Sequence, residues 1–330
     1  MVGGQAEGLR VLVTAGGAGI GRAVTAALVA AGAKVHVCDV SEGVLADCRL
    51  AMPDVGTTLA DVSDEVAVDR LFDEVRSGLG GLDVLVNNAG IAGPTGAVED
   101  ITVADWRRCI DIDLTGQFLC ARRAVPLIKA AGGGAIVNMS SAAGRFGYAF
   151  RTPYAAAKWG VIGFTQSLAK ELGPSNIRVN AILPGIIKGP RMEGVIRDRA
   201  AQVGVAYDAM ERQYLDRISM RRMTDPRTLP SWWCSWSRRR GATFRVSRSG
   251  STAMSSRCDG PTNPTARGPW PCSPIGAPPP RLRTLRNYAH GSTQEGHHLL
   301  RRDGRHPHAV HVASPAGDAG SDRRGRGRGR

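Results

Sequence analysis

A short apolar strand, a glycine-rich turn and an apolar helix follow one another without a break near the start of the chain. Arg10 to Thr14 form the predicted strand, Ala15 to Gly21 the turn, and Ala23 to Ala31 a helical run that Gly32 ends. Glycines let the backbone approach a ligand closely, and the start of a helix favours negative charge. The order strand, turn, helix predicts an α/β fold with a phosphate-binding turn.

A second predicted strand, Lys34 to Asp39, ends in a carboxylate eighteen residues after Gly21. An acid at that place accepts a hydrogen bond from the ribose 2′-hydroxyl of NAD and repels the 2′-phosphate of NADP. The two strands together predict a dinucleotide site with a preference for NAD.

A tyrosine and a lysine four residues apart, Tyr154 and Lys158, lie on one face if their segment is helical. Ser141 precedes them, directly after the apolar run Gly134 to Ser140. The ammonium favours the phenolate, so the tyrosine can exchange protons near neutral pH, while the serine binds a substrate oxygen. Taken singly, the same residues also fit a surface aromatic, a solvated charge and a helix cap; the upstream dinucleotide site favours the catalytic interpretation.

With these residues the chain resembles the short-chain dehydrogenase/reductase family over roughly residues 9–225. Thr14 to Gly21 matches the family pattern T-G-x-x-x-G-x-G, except that Ala15 stands at the first glycine. Asn87 to Gly90 matches the family's N-N-A-G. The resemblance implies NAD-dependent hydride transfer between nicotinamide and a secondary alcohol or ketone, with Ser141, Tyr154 and Lys158 as the catalytic set.

The resemblance also implies where the cofactor binds. Asp61 and Val62 look like the pair that holds the adenine, and Pro184 with Gly185 like the turn beside the nicotinamide. The implied cofactor-binding residues are Thr14, Gly16, Gly19, Ile20, Gly21, Asp39, Asp61, Val62, Asn88, Ala89, Gly90, Tyr154, Lys158, Pro184, Gly185 and Ile187.

Two positions depart from the family pattern. Asp113 stands where an asparagine usually helps to hold a water of the proton relay, and Gly189 where a threonine often binds the carboxamide. An acid at 113 retains the backbone carbonyl for that water but places a carboxylate near Lys158. We therefore include Asp113 in the predicted catalytic set.

The repeated alternation of strands and helices predicts a doubly wound parallel sheet, the Rossmann arrangement. We expect six strands near residues 10–14, 34–39, 56–60, 82–87, 134–139 and 177–183. Residues 1–8 form a leader, 9–226 the catalytic domain, and about 186–223 a substrate insert with helices near 192–203 and 207–218.

The substrate is left open by the sequence. Arg145, Arg151 and Arg191 are able to hold a carboxylate or phosphate, although solvated surface arginines are the preferred interpretation. A sugar or polyol, a hydroxy acid, a steroid-like alcohol and a 3-oxoacyl thioester all fit as small-molecule partners.

The charge of the chain is concentrated in its C-terminal third. The net charge is +14, and residues 227–330 contain 19 arginines, no lysine and 5 acidic residues, so the remainder is neutral. The segment has no helical or strand periodicity and is predicted to be disordered. An arginine-rich segment that binds nucleic acid is one explanation, but we favour another.

A frameshift near Pro226 explains this segment better. Tryptophan has a single codon and cysteine only two, so the bases that encode Trp232, Trp233 and Cys234 are nearly fixed. Read in the frame that starts one base earlier, these bases encode Val-Val. Suitable codons continue into a plausible family ending and a stop after Cys258. The chain would then lack the family's last helix and strand, which exposes the sixth strand as an edge, makes activity doubtful and compromises a family-like homo-oligomer.

The remaining features indicate a cytoplasmic protein. The N-terminus has no basic start followed by an apolar run, and no segment is apolar enough to span a membrane. The cysteines Cys38, Cys48, Cys109 and Cys120 lack metal-ligand spacing, which predicts buried free thiols in a reducing compartment and no metal site.

Overall fold

The structure is a computed structural model that describes residues 6–228. Six parallel strands form one sheet in the order β3-β2-β1-β4-β5-β6. The strands are β1 (Arg10–Thr14), β2 (Lys34–Asp39), β3 (Gly56–Leu59), β4 (Val84–Asn87), β5 (Gly134–Met139) and β6 (Ile177–Ile182). This is the predicted doubly wound sheet. Its order reverses between β1 and β4, where such sheets bind ligands.

In the described range, eight α-helices connect or follow the strands. They are α1 (Gly19–Ala30), α2 (Glu42–Ala51), α3 (Glu65–Leu79), α4 (Val103–Ile110), α5 (Gly116–Ala130), α6 (Thr152–Leu172), α7 (Pro190–Val203) and α8 (Tyr207–Asp216). A π-helical turn, Asp111–Thr115, joins α4 to α5. The two helices of the predicted insert are therefore present, with α7 starting two residues earlier and α8 ending two residues earlier than expected.

Two hydrophobic cores cover the two faces of the sheet because side chains alternate along each strand. Val11 and Val13 pack with α1 and α2 on one face, whereas Leu12 points to the other face with α3 and α5. A third cluster, centred on Ile196 and Tyr214, holds α7 and α8 together.

The strand predictions are confirmed to within two residues. The largest difference is at β4, which begins at Val84 rather than at residue 82. Leu82 is buried but precedes the ladder, and the carboxylate of Asp83 binds Arg10. The four predicted cysteines are buried and free.

Several predictions concern residues outside the described range. The leader is described only from Ala6, and the frameshift, the disorder and the missing last helix and strand concern residues beyond Thr228. Within residues 6–228, β6 pairs with β5 alone. The helices of this described part include none with the length and apolar character needed to cross a membrane.

An ion pair between Arg10 and Asp83 links the start of β1 to the segment before β4. Asp83 accepts hydrogen bonds from the backbone nitrogen of Arg10 at 2.8 Å and from its side-chain Nε at 2.9 Å and Nη2 at 2.8 Å. The hydrogen bond from the Arg10 side chain lowers the pKa of Asp83 from its ordinary 3.8. The carboxylate therefore stabilises the fold above pH 3.8, and that contribution is lost as the pH falls through the lower folded-state pKa.

We predict that Asp83→Asn lowers the free energy of unfolding by about 1–2 kcal/mol at neutral pH, because the pair is multiply hydrogen-bonded but partly exposed. Denaturant unfolding of the parent and the variant at neutral pH and below pH 3.8 measures this loss. The difference between their free energies of unfolding should be smaller at the lower pH. Asp73→Asn, which removes an exposed pair with Arg76, is the matched control. Equal losses in both variants would contradict the prediction.

Candidate active site

The predicted site residues meet at one edge of the sheet, where the parallel strands end. The glycine turn follows β1, Asn88 to Gly90 follow β4, and Ser141 follows β5. Because these three strands are neighbours, the topology brings together segments that are far apart in sequence.

Thr14 joins the loop after β1 to the loop after β4. Its buried hydroxyl oxygen accepts the backbone N–H groups of Asn88 and Ala89, each at 2.9 Å. In return, the Asn88 side-chain amide donates to the carbonyls of Thr14 at 3.0 Å and Ala15 at 3.1 Å. The side chains of Thr14 and Asn88 thus position the two loops that flank the predicted cofactor site.

The glycine turn is shaped by contacts that allow no side chain. A Cβ at Gly16 would lie 2.5 Å from a methyl carbon of Val37, and one at Gly21 would lie 2.0 Å from the Ala15 carbonyl oxygen. Ala15 itself has a φ of 47°, in the left-handed region. Alanine therefore adopts at this position a conformation that glycine adopts at less cost, which explains why glycine is usual there.

Helix α1 starts without a cap. Among residues 6–228, no side chain caps its first turn, and that turn contains no acid. By contrast, Ser41, Asp64 and Thr102 cap α2, α3 and α4. The first N–H groups of α1 lack an internal helical partner. Together with the side-chain-free turn at Gly16 and Gly21, they fit an anionic pyrophosphate group.

The two predicted acids at the strand ends have different surroundings. Asp39 is half-buried at the end of β2, where burial raises the pKa of its carboxyl group, and it accepts the N–H of Ser41 at 3.3 Å. Asp61 accepts the backbone N–H of Ser63 at 2.9 Å and its hydroxyl at 2.7 Å. Val62 beside it is buried against Gly116. Asp61 therefore shapes a turn, while Asp39 keeps acceptor capacity for a ribose.

Lys158 is held between α6 and the end of β5. Its ammonium donates to the Met139 carbonyl at 3.2 Å, and its own carbonyl accepts the Ser140 hydroxyl at 2.8 Å. Ser141, which follows Ser140 in the chain, caps a 3₁₀ turn, and its hydroxyl oxygen accepts the Ala143 N–H at 3.2 Å. The Lys158 Nζ lies 5.5 Å from the ring centroid of half-buried Tyr154. Three predicted catalytic residues therefore lie on two segments that are bonded to each other.

Asp113 forms a buried ion pair with Lys158. One carboxylate oxygen lies 3.3 Å from the lysine Nζ, and the other accepts the Ile91 N–H at 2.6 Å. Asp113 lies in the π-helical turn, and its backbone carbonyl accepts the Gln117 side-chain amide at 3.1 Å. A Cβ at Gly90 would lie 2.8 Å from the carboxylate, so the pair fits only beside a glycine.

The turn at Pro184 and the substrate insert complete this edge. The Pro184 carbonyl accepts the Ala142 N–H at 3.0 Å, which links the turn to the segment of Ser141. Ile187 forms a parallel bridge with Thr224, so the insert is closed at its base. Gly189 has a φ of 150°, a conformation that a threonine rarely adopts. This second departure therefore has a backbone reason.

The preferred surface interpretation is wrong for one of the three arginines. Arg151 is only 5% exposed. Arg191 is exposed and donates to the Gly90 carbonyl, and Arg145 is half-buried. The sequence signal for Arg151 was its place three residues before Tyr154, which puts it one helical turn away.

We predict that Thr14→Val lowers the free energy of unfolding by roughly 2–4 kcal/mol, because two buried N–H groups lose their acceptor. Thr14→Ser keeps the oxygen and should lose only about 1 kcal/mol, the value of one methyl group. Chemical denaturation of both variants tests this, and the prediction fails if valine and serine are equally destabilising.

The known proteins that this chain resembles are dehydrogenases and reductases. The short chain dehydrogenase family model matches residues 10–200. Over 200 residues, 59% of this chain and 80% of the relative, the chain is 44% identical to cis-4-hydroxycyclohexanecarboxylate dehydrogenase from Sinomonas cyclohexanicum.

Two solved structures have the same fold. NAD⁺-bound xylitol dehydrogenase matches with a TM-score of 0.66 and 29% identity, over 70% of this chain and 92% of that one. An actinorhodin polyketide ketoreductase with NADPH matches with a TM-score of 0.65 and 29% identity, over 71% and 91% of the two chains. The family match over residues 10–200, the sequence similarity and the fold together show that this chain belongs to the short-chain dehydrogenase family of oxidoreductases.

Proposed function

We propose that this protein interconverts a secondary alcohol and a ketone with NAD(H), using Tyr154 as the general acid and base. The main support for this proposal is the buried ammonium of Lys158, which the Met139 carbonyl and the Asp113 carboxylate hold beside the tyrosine ring. A cation held at that distance favours the phenolate form that accepts a proton from an alcohol.

The uncapped start of α1 and the glycine turn would hold the pyrophosphate, and Asp39 the adenosine ribose. Asp61 and Val62 would border the adenine, while Asn88 to Gly90, Pro184, Gly185 and Ile187 would border the nicotinamide side, as the family resemblance implies. The bound nicotinamide supplies or accepts the hydride.

The chain's own residues would manage the proton and the substrate oxygen. Tyr154 exchanges the proton, and Ser141 orients the alcohol or carbonyl oxygen by a hydrogen bond. Lys158 stabilises the phenolate and binds the nicotinamide ribose. Asp113 holds the ammonium in place through its ion pair and its bond to the Ile91 N–H.

We propose a compact cyclic secondary alcohol as the substrate class. The support is the similarity to a dehydrogenase of a hydroxycyclohexanecarboxylate. The insert that would cover such a substrate is held together by an apolar cluster, in which Ala92 and Tyr148 pack against Ile196, Met210 and Tyr214.

The competing proposal is an impaired product of a frameshifted gene. It is supported by the departure of the sequence from the family pattern after Pro226 and by the partial neutralisation of Lys158 by Asp113. Sequencing the DNA around codon 226 and comparing the turnover of the chain with that of the frame-restored protein separates the two proposals.

We predict tighter binding of NADH than of NADPH, because Asp39 repels a 2′-phosphate. Asp39→Ala should narrow the ratio of the two dissociation constants by about tenfold, equivalent to roughly 1.4 kcal/mol. Titration calorimetry measures both constants, with the exposed Asp54→Ala as control. Equal or tighter binding of NADPH to the parent protein would contradict the cofactor assignment.

We predict that Tyr154→Phe reduces turnover to less than about a tenth, since acid–base catalysis supplies roughly 10²–10⁴-fold. The binding of NADH and the melting temperature should stay close to those of the parent, because only a hydroxyl is removed. Initial rates over a panel of cyclic alcohols, together with a cofactor titration, test this. A variant that keeps the parent rate refutes the proposed role.

A further inference from the structure

Arg151 places a second cation against the ring of Tyr154. It immediately precedes α6, and its guanidinium carbon lies 4.3 Å from the Tyr154 ring centroid and 5.4 Å from that of Tyr148. One terminal nitrogen donates to the Ala92 carbonyl. The guanidinium is therefore closer to the Tyr154 ring than the ammonium of Lys158, which lies at 5.5 Å.

The charge of Arg151 is not neutralised by an acid. Among residues 6–228 no ion pair is formed with it, and its buried Nε has no hydrogen-bond acceptor. A buried guanidinium without a carboxylate is costly, and the start of a helix is an unfavourable place for a cation. The faces of two tyrosine rings are the compensating contacts, because guanidinium groups stack on aromatic rings.

The charge of Lys158, in contrast, is neutralised. Its side chain is 5% exposed, and the partner carboxylate of Asp113 is fully buried at 3.3 Å from the ammonium. Little solvent screens this pair, so the carboxylate cancels much of the field that the ammonium exerts on Tyr154. The paired ammonium of Lys158 therefore favours the phenolate of Tyr154 less than an unpaired cation would.

We propose that Arg151 is a positioning residue. The Asp113 carboxylate weakens the positive field of Lys158 at Tyr154, and the charge of Arg151 adds to that field and thereby favours the phenolate. The inference rests on the proposed role of Tyr154 and deepens it. It assigns a compensating pair: the buried arginine at the Tyr154 ring offsets the acid at position 113.

The other titratable groups around Tyr154 do not supply this field. Cys109 on α4 is buried, and burial raises the pKa of its thiol to about 12, so it is neutral. Burial also raises the pKa of Tyr148, which contacts Tyr214 of α8. Arg191 of α7 is exposed, so water screens its charge. Of the residues that the structure describes, Arg151, Lys158 and Asp113 are therefore the buried charged groups that lie at the ring or pair with a group there.

The test is a tyrosinate absorbance titration of the full-length protein. The difference between each protein and its Tyr154→Phe partner isolates one of the 5 tyrosines. Arg151→Gln should move the midpoint of this difference upward by about one pH unit or more, the size typical of a charge at this distance. Arg151→Lys should retain most of the effect, and the exposed Arg108→Gln should leave the midpoint unchanged.

A double variant makes the test specific. Asp113→Asn alone should lower the midpoint, and adding it to Arg151→Gln should bring the midpoint back toward the parent value. A purely structural role predicts no movement in folded Arg151→Gln, and that result would overturn the proposal. If Arg151→Gln does not melt cooperatively, Arg151→Met is titrated instead, because it keeps the apolar stem. An unmoved midpoint in folded Arg151→Met would then overturn the proposal.

The two proposals fail separately. The titration needs neither substrate nor cofactor, so it measures the field at Tyr154 even if the protein acts on another substrate. Turnover that survives Tyr154→Phe would refute the catalytic role of the tyrosine, whereas an unmoved midpoint would refute only the role of Arg151.

Discussion

The buried hydroxyl of Thr14 joins the two loops between which the crevice of this fold lies. In a doubly wound sheet the chain departs in opposite directions from two neighbouring central strands, and a crevice forms between the departing loops. Here the Thr14 oxygen accepts two N–H groups from the loop after β4, while the Asn88 amide returns two hydrogen bonds to the turn after β1. These bonds hold the two loops together, so the residues that the loops carry depend on them for their positions.

The sheet edge that carries the predicted catalytic residues adds a second constraint, the burial of opposite charges. The strand β5 supplies a carbonyl, α6 an ammonium and the π-helical turn a carboxylate, and all three meet beside Gly90. A widened helical turn lets Asp113 face the lysine while its backbone carbonyl still accepts a bond from Gln117. The acid at this place adds a buried negative charge beside the lysine.

Local patterns carried most of what the sequence predicted. The glycine turn, the six strands and the spacing of Ser141, Tyr154 and Lys158 are read from neighbouring residues, so they could be located to within a residue or two. The burial of Arg151 and the bridge between Ile187 and Thr224 depend on segments that meet only after folding. Surface propensity is a poor guide for an arginine whose partners are aromatic faces rather than acids, and that is where the expectation was wrong.

The uncapped start of α1 has a thermodynamic consequence. Helices α2, α3 and α4 begin with a capping side chain, whereas the N-cap residue of α1, Ala18, has no side chain that accepts a hydrogen bond from the first turn. A ligand that binds only the folded state shifts the folding equilibrium by its occupancy. The dinucleotide would therefore act as the missing capping residue of α1, and the cellular supply of cofactor would set part of the stability of the polypeptide.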